Sequence, residues 1–253
     1  IEGEATQALK QSLAVRKLVD VEGPLGWEGA SVDTGRAPRL QDSPRDGIEA
    51  RLRRVQALVE LRRYFDVATS ELDAIDRGAT DPDLDTVREA ARDIALAEDG
   101  AILYGFPQGG IEGISEVAAD RALTLTDDYR RYPEVVAEAL NQLRLESVDG
   151  PYGILLGPRC HTGLMQTRDS GYPVMEHVRR LVEGPIVWAP AADGAFLLSL
   201  RGGDFQLFVG QDFSIGYLNH TVDRVTLYLQ ESFTFRINAH EAAIPLRYDT
   251  GKH

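Results

Sequence analysis

Cys160 and His161 are the residues whose types suggest nucleophilic chemistry, because a thiol activated by an imidazole base can attack a carbonyl carbon. Such a pair works only when the sulfur and a ring nitrogen lie within hydrogen-bond reach of each other. Side chains at adjacent positions point in different directions and cannot easily form that hydrogen bond. We therefore interpret Cys160 as a structural thiol and His161 as a solvent-exposed imidazole, and we predict no catalytic residue.

The other histidines give no sign of a metal centre. His177, His220 and His240 are far apart in the sequence, and none belongs to a His-x-x-x-His or Glu-x-x-His pair. Those spacings matter because they place two ligands on one face of a helix. The sequence therefore predicts no protein-bound metal ion, and no motif indicates a cofactor.

Two pairs of adjacent acids, Glu98 with Asp99 and Asp127 with Asp128, could in principle act as an acid and a base. Adjacent acids on a helix or a turn more often form a solvated face, and we expect both pairs to be exposed. The glycine-rich segment Gly105–Gly113 lacks the spacing of a phosphate-binding loop. It predicts a sharp turn.

The charge balance limits the partners that this chain can have. Forty acidic and 27 basic residues give a net charge of −13. A nucleic-acid-binding surface needs clustered cations to release counterions, so we expect no nucleic acid partner. No apolar run approaches the roughly 20 residues that cross a bilayer, so we expect no membrane span. The single cysteine excludes an internal disulfide and suits a reducing cytoplasm.

The strongest structural signal lies near the end of the chain. From Val225 to Ile237 every second residue is apolar except Glu231. This alternation predicts a long strand with one buried face and the intervening polar residues in water. Glu231 needs either a β-bulge that turns it outward or an arginine across a subunit or domain contact. We favour the arginine because the alternation resumes in the same phase at Phe233.

Other patterns predict the remaining elements. Residues 2–15 and a segment from Asp81 or Asp83 to Gly105 have helical spacing, and Ser70 is the expected N-cap of a short helix. Residues between Val32 and Val67 alternate around a polar connection, as the arms of a projecting hairpin would. A long hairpin cannot bury itself, so it needs a neighbour, either from elsewhere in the chain or from another subunit. We predict that a neighbouring subunit stabilises it. The opening residues are already amphipathic, and we expect further residues before Ile1 in the natural protein.

Several motifs, in this order, resemble the encapsulin family of prokaryotic protein-shell subunits. They are RKLVDVEGPLGW (Arg16 to Trp27), LVELR (Leu58 to Arg62), ELDAIDRG (Glu71 to Gly78), AEDGAILYG (Ala97 to Gly105), DGPYGILL (Asp149 to Leu156), DSGYPVMEHVRRL (Asp169 to Leu181), RGGDF (Arg201 to Phe205), GQDFSIGY (Gly210 to Tyr217) and VTLYLQESFTF (Val225 to Phe235). The resemblance extends over essentially the whole chain.

This resemblance implies an α+β fold, the tailed-phage major capsid fold of the Hong Kong 97 type. That fold has a P-domain, an A-domain and a projecting E-loop. The implied segments are 1–31, the N-terminal part of the P-domain; 32–67, the E-loop and its base; 68–117, P-domain with a long spine helix; 118–200, the A-domain; and 201–253, terminal P-domain strands.

The resemblance also implies a function. Encapsulin subunits close into a hollow icosahedral shell, here expected to contain about sixty copies or more. The shell lies in the cytoplasm and encloses a cargo protein that carries a C-terminal targeting peptide. The cargo is commonly a dye-decolorizing peroxidase or a ferritin-like protein, which implies roles in oxidative stress or iron storage. A protease or bacteriocin-like enzyme and a viral capsid protein are the alternatives.

The resemblance carries over to two sets of residues. The interior groove that binds the cargo peptide would be formed by Leu13, Arg16, Asp20, Ile215 and Tyr217. The loop that lines the five-fold pore would consist of Arg168, Asp169, Ser170, Gly171 and Tyr172. We expect this loop to be exposed to solvent.

Overall fold

The computed structural model describes residues 1–249 and contains seven α-helices within them. The helices are α1 (Glu2–Ser12), α2 (Thr69–Asp76), α3 (Asp85–Tyr104), α4 (Ile114–Val117), α5 (Tyr132–Leu145), α6 (Pro158–Gln166) and α7 (Val174–Val182). The strands are β1 (Asp20–Glu22), β2 (Ser31–Asp33), β3 (Val55–Ala57), β4 (Val59–Ala68), β5 (Leu123–Leu125), β6 (Tyr152–Leu156), β7 (Arg168–Asp169), β8 (Tyr172–Pro173), β9 (Ile186–Trp188), β10 (Ala195–Ser199), β11 (Phe205–Val209), β12 (Ser214–His220), β13 (Arg224–Ile237) and β14 (Ala243–Tyr248).

The long strand β13 is the centre of the first sheet. One edge pairs antiparallel with β4 from Arg224 to Phe233. The other edge pairs first with β12 and then with β11, and β1 lies outside β11 in parallel orientation. The alternation predicted one buried face, but Gln230 and Thr234 on the opposite face are also buried. The expectation of a solvated second face is therefore wrong for these two residues.

Helix α3 holds the first sheet and the rest of the subunit together. Its 20 residues extend about 30 Å at 1.5 Å per residue. The first half, including Ala91 and Ile94, joins an apolar cluster with α1, β4 and Leu229. The second half, including Ile102 and Leu103, belongs to the larger apolar core of the molecule. The helix stops before Gly105, which is its C-cap residue and has a φ of 90°, a conformation that favours glycine.

The second sheet has the strand order β5, β14, β10, β6, β9. Helices α5, α6 and α7 pack against it and complete the larger core. Strand β14 lies in this sheet between β5 and β10, whereas the sequence groups it with the terminal strands of the first sheet. The four residues from Ala243 to Leu246 are all buried, and such a short apolar strand can satisfy both faces only inside a covered sheet.

The projecting hairpin is shorter than the sequence predicts. Strands β2 and β3 pair at its base, and the pairing continues outward to a bridge between Arg39 and Arg51. Strand β4 follows directly but belongs to the first sheet. The expectation that a neighbour stabilises the whole region up to Val67 is wrong for β4, because β13 supplies its backbone partners.

Of two local predictions, the N-cap at Ser70 is wrong and the turn at Gly105–Gly113 is confirmed. Helix α2 begins after Ala68, so Ser70 lies inside the helix and is not its N-cap. The segment Gly105–Gly113 forms the sharp turn that was predicted, since Phe106 and Ile111 bridge each other across it. Gly110 at its apex has a φ of 68°.

Candidate functional site

A groove lies between α1 and the strand β12. Its cavity has a volume of about 330 Å³. Its lining is formed by apolar residues, Ala5, Leu9, Phe213, Ile215 and Leu229, together with the polar residues Glu2, Thr6 and Ser214. Ala5 and Leu9 are one helical turn apart, so both point from α1 toward the sheet. Ile215 lies opposite Leu229 in the antiparallel pair β12 and β13. Both α1 and the sheet therefore contribute apolar side chains to the groove, beside the three polar residues.

Three of the predicted cargo-peptide residues surround this groove. Leu13 follows the end of α1, is buried and belongs to the same apolar cluster as Leu9. Ile215 is half-buried in the groove itself. Tyr217 lies two residues further along β12 and is 58% exposed. Its hydroxyl is 2.5 Å from Nδ1 of His220.

Arg16 lies beneath the groove and is held by several carboxylates. Its guanidinium donates to Glu98 at 2.5–3.0 Å, to Glu231 at 3.0 Å and to Asp212 at 2.9 Å. It also lies over the Phe213 ring, 4.7 Å from the ring centroid. Its side chain is 15% exposed. Arg16 therefore supports Phe213, which is part of the groove wall.

Asp20 is the predicted groove residue that the structure places elsewhere. Its carboxylate accepts a hydrogen bond from the backbone N–H of Gly203 at 2.5 Å. Asp20 pairs with Gln206 of β11, which in turn pairs with Arg236 of β13. Ile215 pairs with Leu229, which lies seven residues before Arg236 on β13. Seven residues of strand correspond to about 23 Å. The structure therefore brings together four of the five residues and leaves Asp20 at the opposite end of the sheet.

The predicted pore loop is a tight hairpin formed by β7 and β8. Arg168 pairs with Pro173 and Asp169 with Tyr172. Ser170 and Gly171 form the turn, with φ angles of 48° and 89°. Positive φ at both central residues is what a type I′ hairpin turn requires. Tyr172 is 64% exposed. The expectation of an exposed loop is confirmed for the subunit.

Glu98 and Asp99 are buried, so the expectation of a solvated face is wrong for this pair. Neither side chain exposes any surface. Glu98 binds Arg16, and Asp99 accepts the backbone N–H groups of Ala14 at 2.8 Å and Val15 at 3.2 Å. Helical spacing gave a signal, because Glu98 lies one turn from both Ile94 and Ile102 on the buried stripe. The other pair is exposed as expected, with Asp127 bound to Arg159.

Glu231 is paired with an arginine, as predicted, but the pair does not cross the subunit or domain contact that the prediction specified. The partner is Arg16 of the same chain, which is 215 positions away. The register between β13 and β4 is continuous from Gln230 to Ser232, which excludes the alternative of a bulge. Burial raises the pKa of the Glu231 carboxyl well above its ordinary value, and the neighbouring Glu98 raises it further.

Cys160 is a structural thiol. It is buried, and its Sγ lies 3.3 Å from the Tyr248 hydroxyl and 3.5 Å from the Tyr132 hydroxyl. Burial raises the pKa of the Cys160 thiol, which disfavours the nucleophilic thiolate. His161 is half-buried rather than fully exposed, and no hydrogen bond joins it to Cys160.

Residues 1–249 contain neither a cluster of metal ligands nor a membrane-spanning helix. Within that range no three His, Cys, Asp or Glu side chains are arranged to hold a metal ion. None of the helices in the described part of the chain is both long and apolar enough to cross a membrane.

Sequence comparison identifies the family. The profile of the family described as "Encapsulating protein for peroxidase" matches residues 1–234. The chain belongs to the encapsulin shell-protein family. The type 1 encapsulin shell protein of Rhodospirillum rubrum is 52% identical, with coverage of 98% of this chain and 90% of that protein. The type 1 encapsulin shell protein of Mycobacterium tuberculosis is 45% identical, with 98% and 93% covered.

Solved structures show the same fold. A virus-like particle from Pyrococcus furiosus has a TM-score of 0.66 at 18% identity, covering 96% of both chains. A chain in a structure titled Mycobacterium phage Bobi has a TM-score of 0.58 at 15% identity, covering 95% of this chain and 91% of that chain. The predicted α+β capsid fold of tailed phages is thus confirmed. This encapsulin-family chain is therefore a subunit of a self-assembling shell, and its role is structural rather than enzymatic.

Proposed function

We propose that the subunit forms a hollow icosahedral shell of about sixty copies or more, which lies in the cytoplasm and encloses a cargo protein. The cargo is recruited by a C-terminal targeting peptide that binds in the groove between α1 and β12. The observation that carries this proposal is the groove of about 330 Å³, whose apolar lining residues include Ile215. That volume is at the lower end of ligand pockets and suits a few side chains of a short peptide.

The strand β12 also suits a peptide ligand. It pairs with β13 on one side only, so within residues 1–249 its outer edge has no strand partner. An extended peptide can add to such an edge through backbone hydrogen bonds, while its alternate side chains enter a neighbouring pocket. Tyr217, exposed on the same strand, extends the surface beyond the cavity. Asp20 is too distant to contact the same few residues of a peptide.

We infer that the cargo is an enzyme such as a dye-decolorizing peroxidase or a ferritin-like protein. The description of the matching family, an encapsulating protein for peroxidase, supports the first of these. A role in oxidative stress or iron storage follows from the cargo that is bound. Many weak peptide sites on the shell wall would retain an oligomeric cargo through avidity.

The segment assignments follow from the same proposal. Residues 32–67 are the E-loop and its base, 118–200 the A-domain, and 1–31, 68–117 and 201–253 the P-domain. The projecting hairpin carries exposed apolar side chains at Leu40, Ile48, Leu52 and Val55. A ribbon with this much exposed apolar surface fits a contact with a neighbouring subunit. Arg168–Tyr172 would line the five-fold pore.

Substitution of Ile215 by Asp tests the groove. A charged side chain in the apolar cavity would exclude the apolar part of a peptide, so we expect loading of a peroxidase cargo with its natural tail to fall at least tenfold. The shell should still assemble, as electron microscopy would show. Leu145→Asp is the matched control, since Leu145 is 76% exposed at the end of α5. Normal loading in an assembled Ile215→Asp shell would place the peptide site elsewhere.

A further inference from the structure

A buried charge cluster joins the start of the chain to α3 and β13. We use this name for Glu98, Asp99 and Glu231 together with Arg16. The three carboxyl side chains are 0–1% exposed. Within the described residues, Arg16 is the one cation that forms an ion pair with Glu98 and Glu231, and Asp99 accepts backbone N–H groups instead. If all were ionised, three buried negative charges would surround one positive charge. Such an excess is costly in a low-dielectric interior.

The geometry places two of the carboxyl groups side by side. Oε2 of Glu98 and Oε2 of Glu231 both accept from the same nitrogen of Arg16, at 2.5 Å and 3.0 Å. The other oxygen of Glu231 is buried and has no hydrogen-bond partner in residues 1–249. Two adjacent carboxyl groups rarely ionise together, because their negative charges repel. Arg16 can neutralise one of them.

We propose that the Glu231 carboxyl binds a proton in the folded subunit at neutral pH and shares it with Glu98, and that this proton fastens residues 1–17 to the first sheet. Arg16 then neutralises Glu98, and the shared proton removes the second charge. The next acid on α3, Asp99, holds the same segment through the backbone N–H groups of Ala14 and Val15.

The charged groups around the cluster agree with this assignment. Burial and then Glu98 raise the pKa of Glu231, Asp212 on the loop before β12 raises it too, and Arg16 opposes them. Burial raises the pKa of Asp99 to about 7, although the Ala14 and Val15 N–H groups and Arg16 lower it. The β4 residue opposite Glu231 is the apolar Leu61.

The sign of the pH effect follows from these raised values. Between the ordinary range of a carboxyl group and its raised pKa, the folded state binds more protons than the open state. Stability is therefore fully present at low pH and is lost as the pH rises through that window. For one proton, the equilibrium for opening of residues 1–17 increases by up to about tenfold per pH unit. Opening of α1 would also disrupt the groove, a consequence that rests on the proposed function.

Hydrogen exchange in the assembled shell tests the proposal. Mass spectrometry would follow peptides from residues 2–17 between about pH 5 and pH 8, with exchange corrected for its intrinsic pH dependence. We expect the wild-type protection factor to fall as the pH rises. Glu231→Gln imitates the protonated carboxyl and should flatten the dependence by about one proton. Glu89→Gln is the matched control, because Glu89 is an exposed residue on α3.

The possible outcomes are distinct. Wild-type protection that does not change with pH, or a full pH dependence in Glu231→Gln, would overturn the proposal. If Glu231→Gln does not fold, infrared spectroscopy of the wild type still decides, because a buried protonated carboxyl has its own carbonyl band at neutral pH. Absence of that band would refute the shared proton. No readout involves cargo, so failure of the cargo hypothesis would leave this test unaffected.

Discussion

The buried charge cluster and the projecting hairpin both contain pairs of an arginine with an acidic side chain, but the pairs of the cluster are buried and those of the hairpin are exposed to solvent. In the cluster, Arg16 is 15% exposed and binds carboxylates with no exposed surface. On the hairpin, Arg53 binds Asp33 with side chains that are 75% and 43% exposed. Water screens the second pair and not the first. The charges of the cluster therefore hold the subunit together, whereas those of the hairpin leave it free to adapt to a neighbour.

The contrast also explains how the two apolar cores are connected. On α3, Ala95 belongs to the smaller cluster and Ile102 to the larger core, and Glu98 lies between them. On β13, Leu229 and Phe233 are divided in the same way, with Glu231 between them. The charge cluster thus occupies the junction of the two cores. The hairpin contributes to neither core beyond its base.

The largest effect is expected from deletion of residues 36–52. The deletion removes the exposed apolar ribbon but leaves both sheets and the charge cluster intact, so the subunit should fold with near-normal stability and fail to form closed particles. Size-exclusion chromatography with light scattering would measure the loss. Unchanged assembly would show that the hairpin is not the contact between subunits.

Substitution of Arg16 by Ala should cause the largest loss of stability. It leaves the buried carboxyl groups of Glu98 and Glu231 without their cation, and breaking a buried pair in this way costs about 3–5 kcal/mol of unfolding free energy. Denaturant unfolding of the subunit would measure it. Arg53→Ala is the matched control on the hairpin, where we expect a loss below about 0.5 kcal/mol. Equal losses in the two variants would remove the distinction between the two regions.

Substitutions of Glu231 sharpen the comparison. Glu231→Ala removes one of the three carboxyl acceptors of Arg16 and leaves a cavity, so we expect a loss of about 1–3 kcal/mol. Glu231→Gln keeps the shape and an acceptor oxygen, and it should lose less. Thermal or denaturant disassembly of both variants, compared with the wild type, would check the order. Three identical stabilities would rule out the pairing with Arg16.

Much of the fold could be predicted from the sequence because the decisive signals are local. The alternation from Val225 to Ile237 predicted β13, and Gly105 marked the end of α3. Because the same alternation resumes in phase at Phe233, it also predicted that Glu231 would pair with an arginine. Such signals require only a regular pattern and a residue with special backbone freedom.

The remaining features depend on contacts between distant parts of the chain. Glu98 meets Arg16 across 82 positions, and nothing in the local pair Glu98 and Asp99 shows that a cation will cover it. Strand β4 has the charge pattern of a hairpin arm, but its partner β13 is more than 150 residues away. The groove residues came from a family resemblance, which carried over Asp20 although it lies at the other end of the sheet.

Electron microscopy of the purified chain tests the central claim most directly. A shell subunit with this fold should form closed, hollow particles of uniform diameter at micromolar concentration, and their absorbance spectrum should show protein without nucleic acid. Closed particles with ordered subunits would support the account. Monomers or dimers alone, or particles filled with nucleic acid, would contradict it.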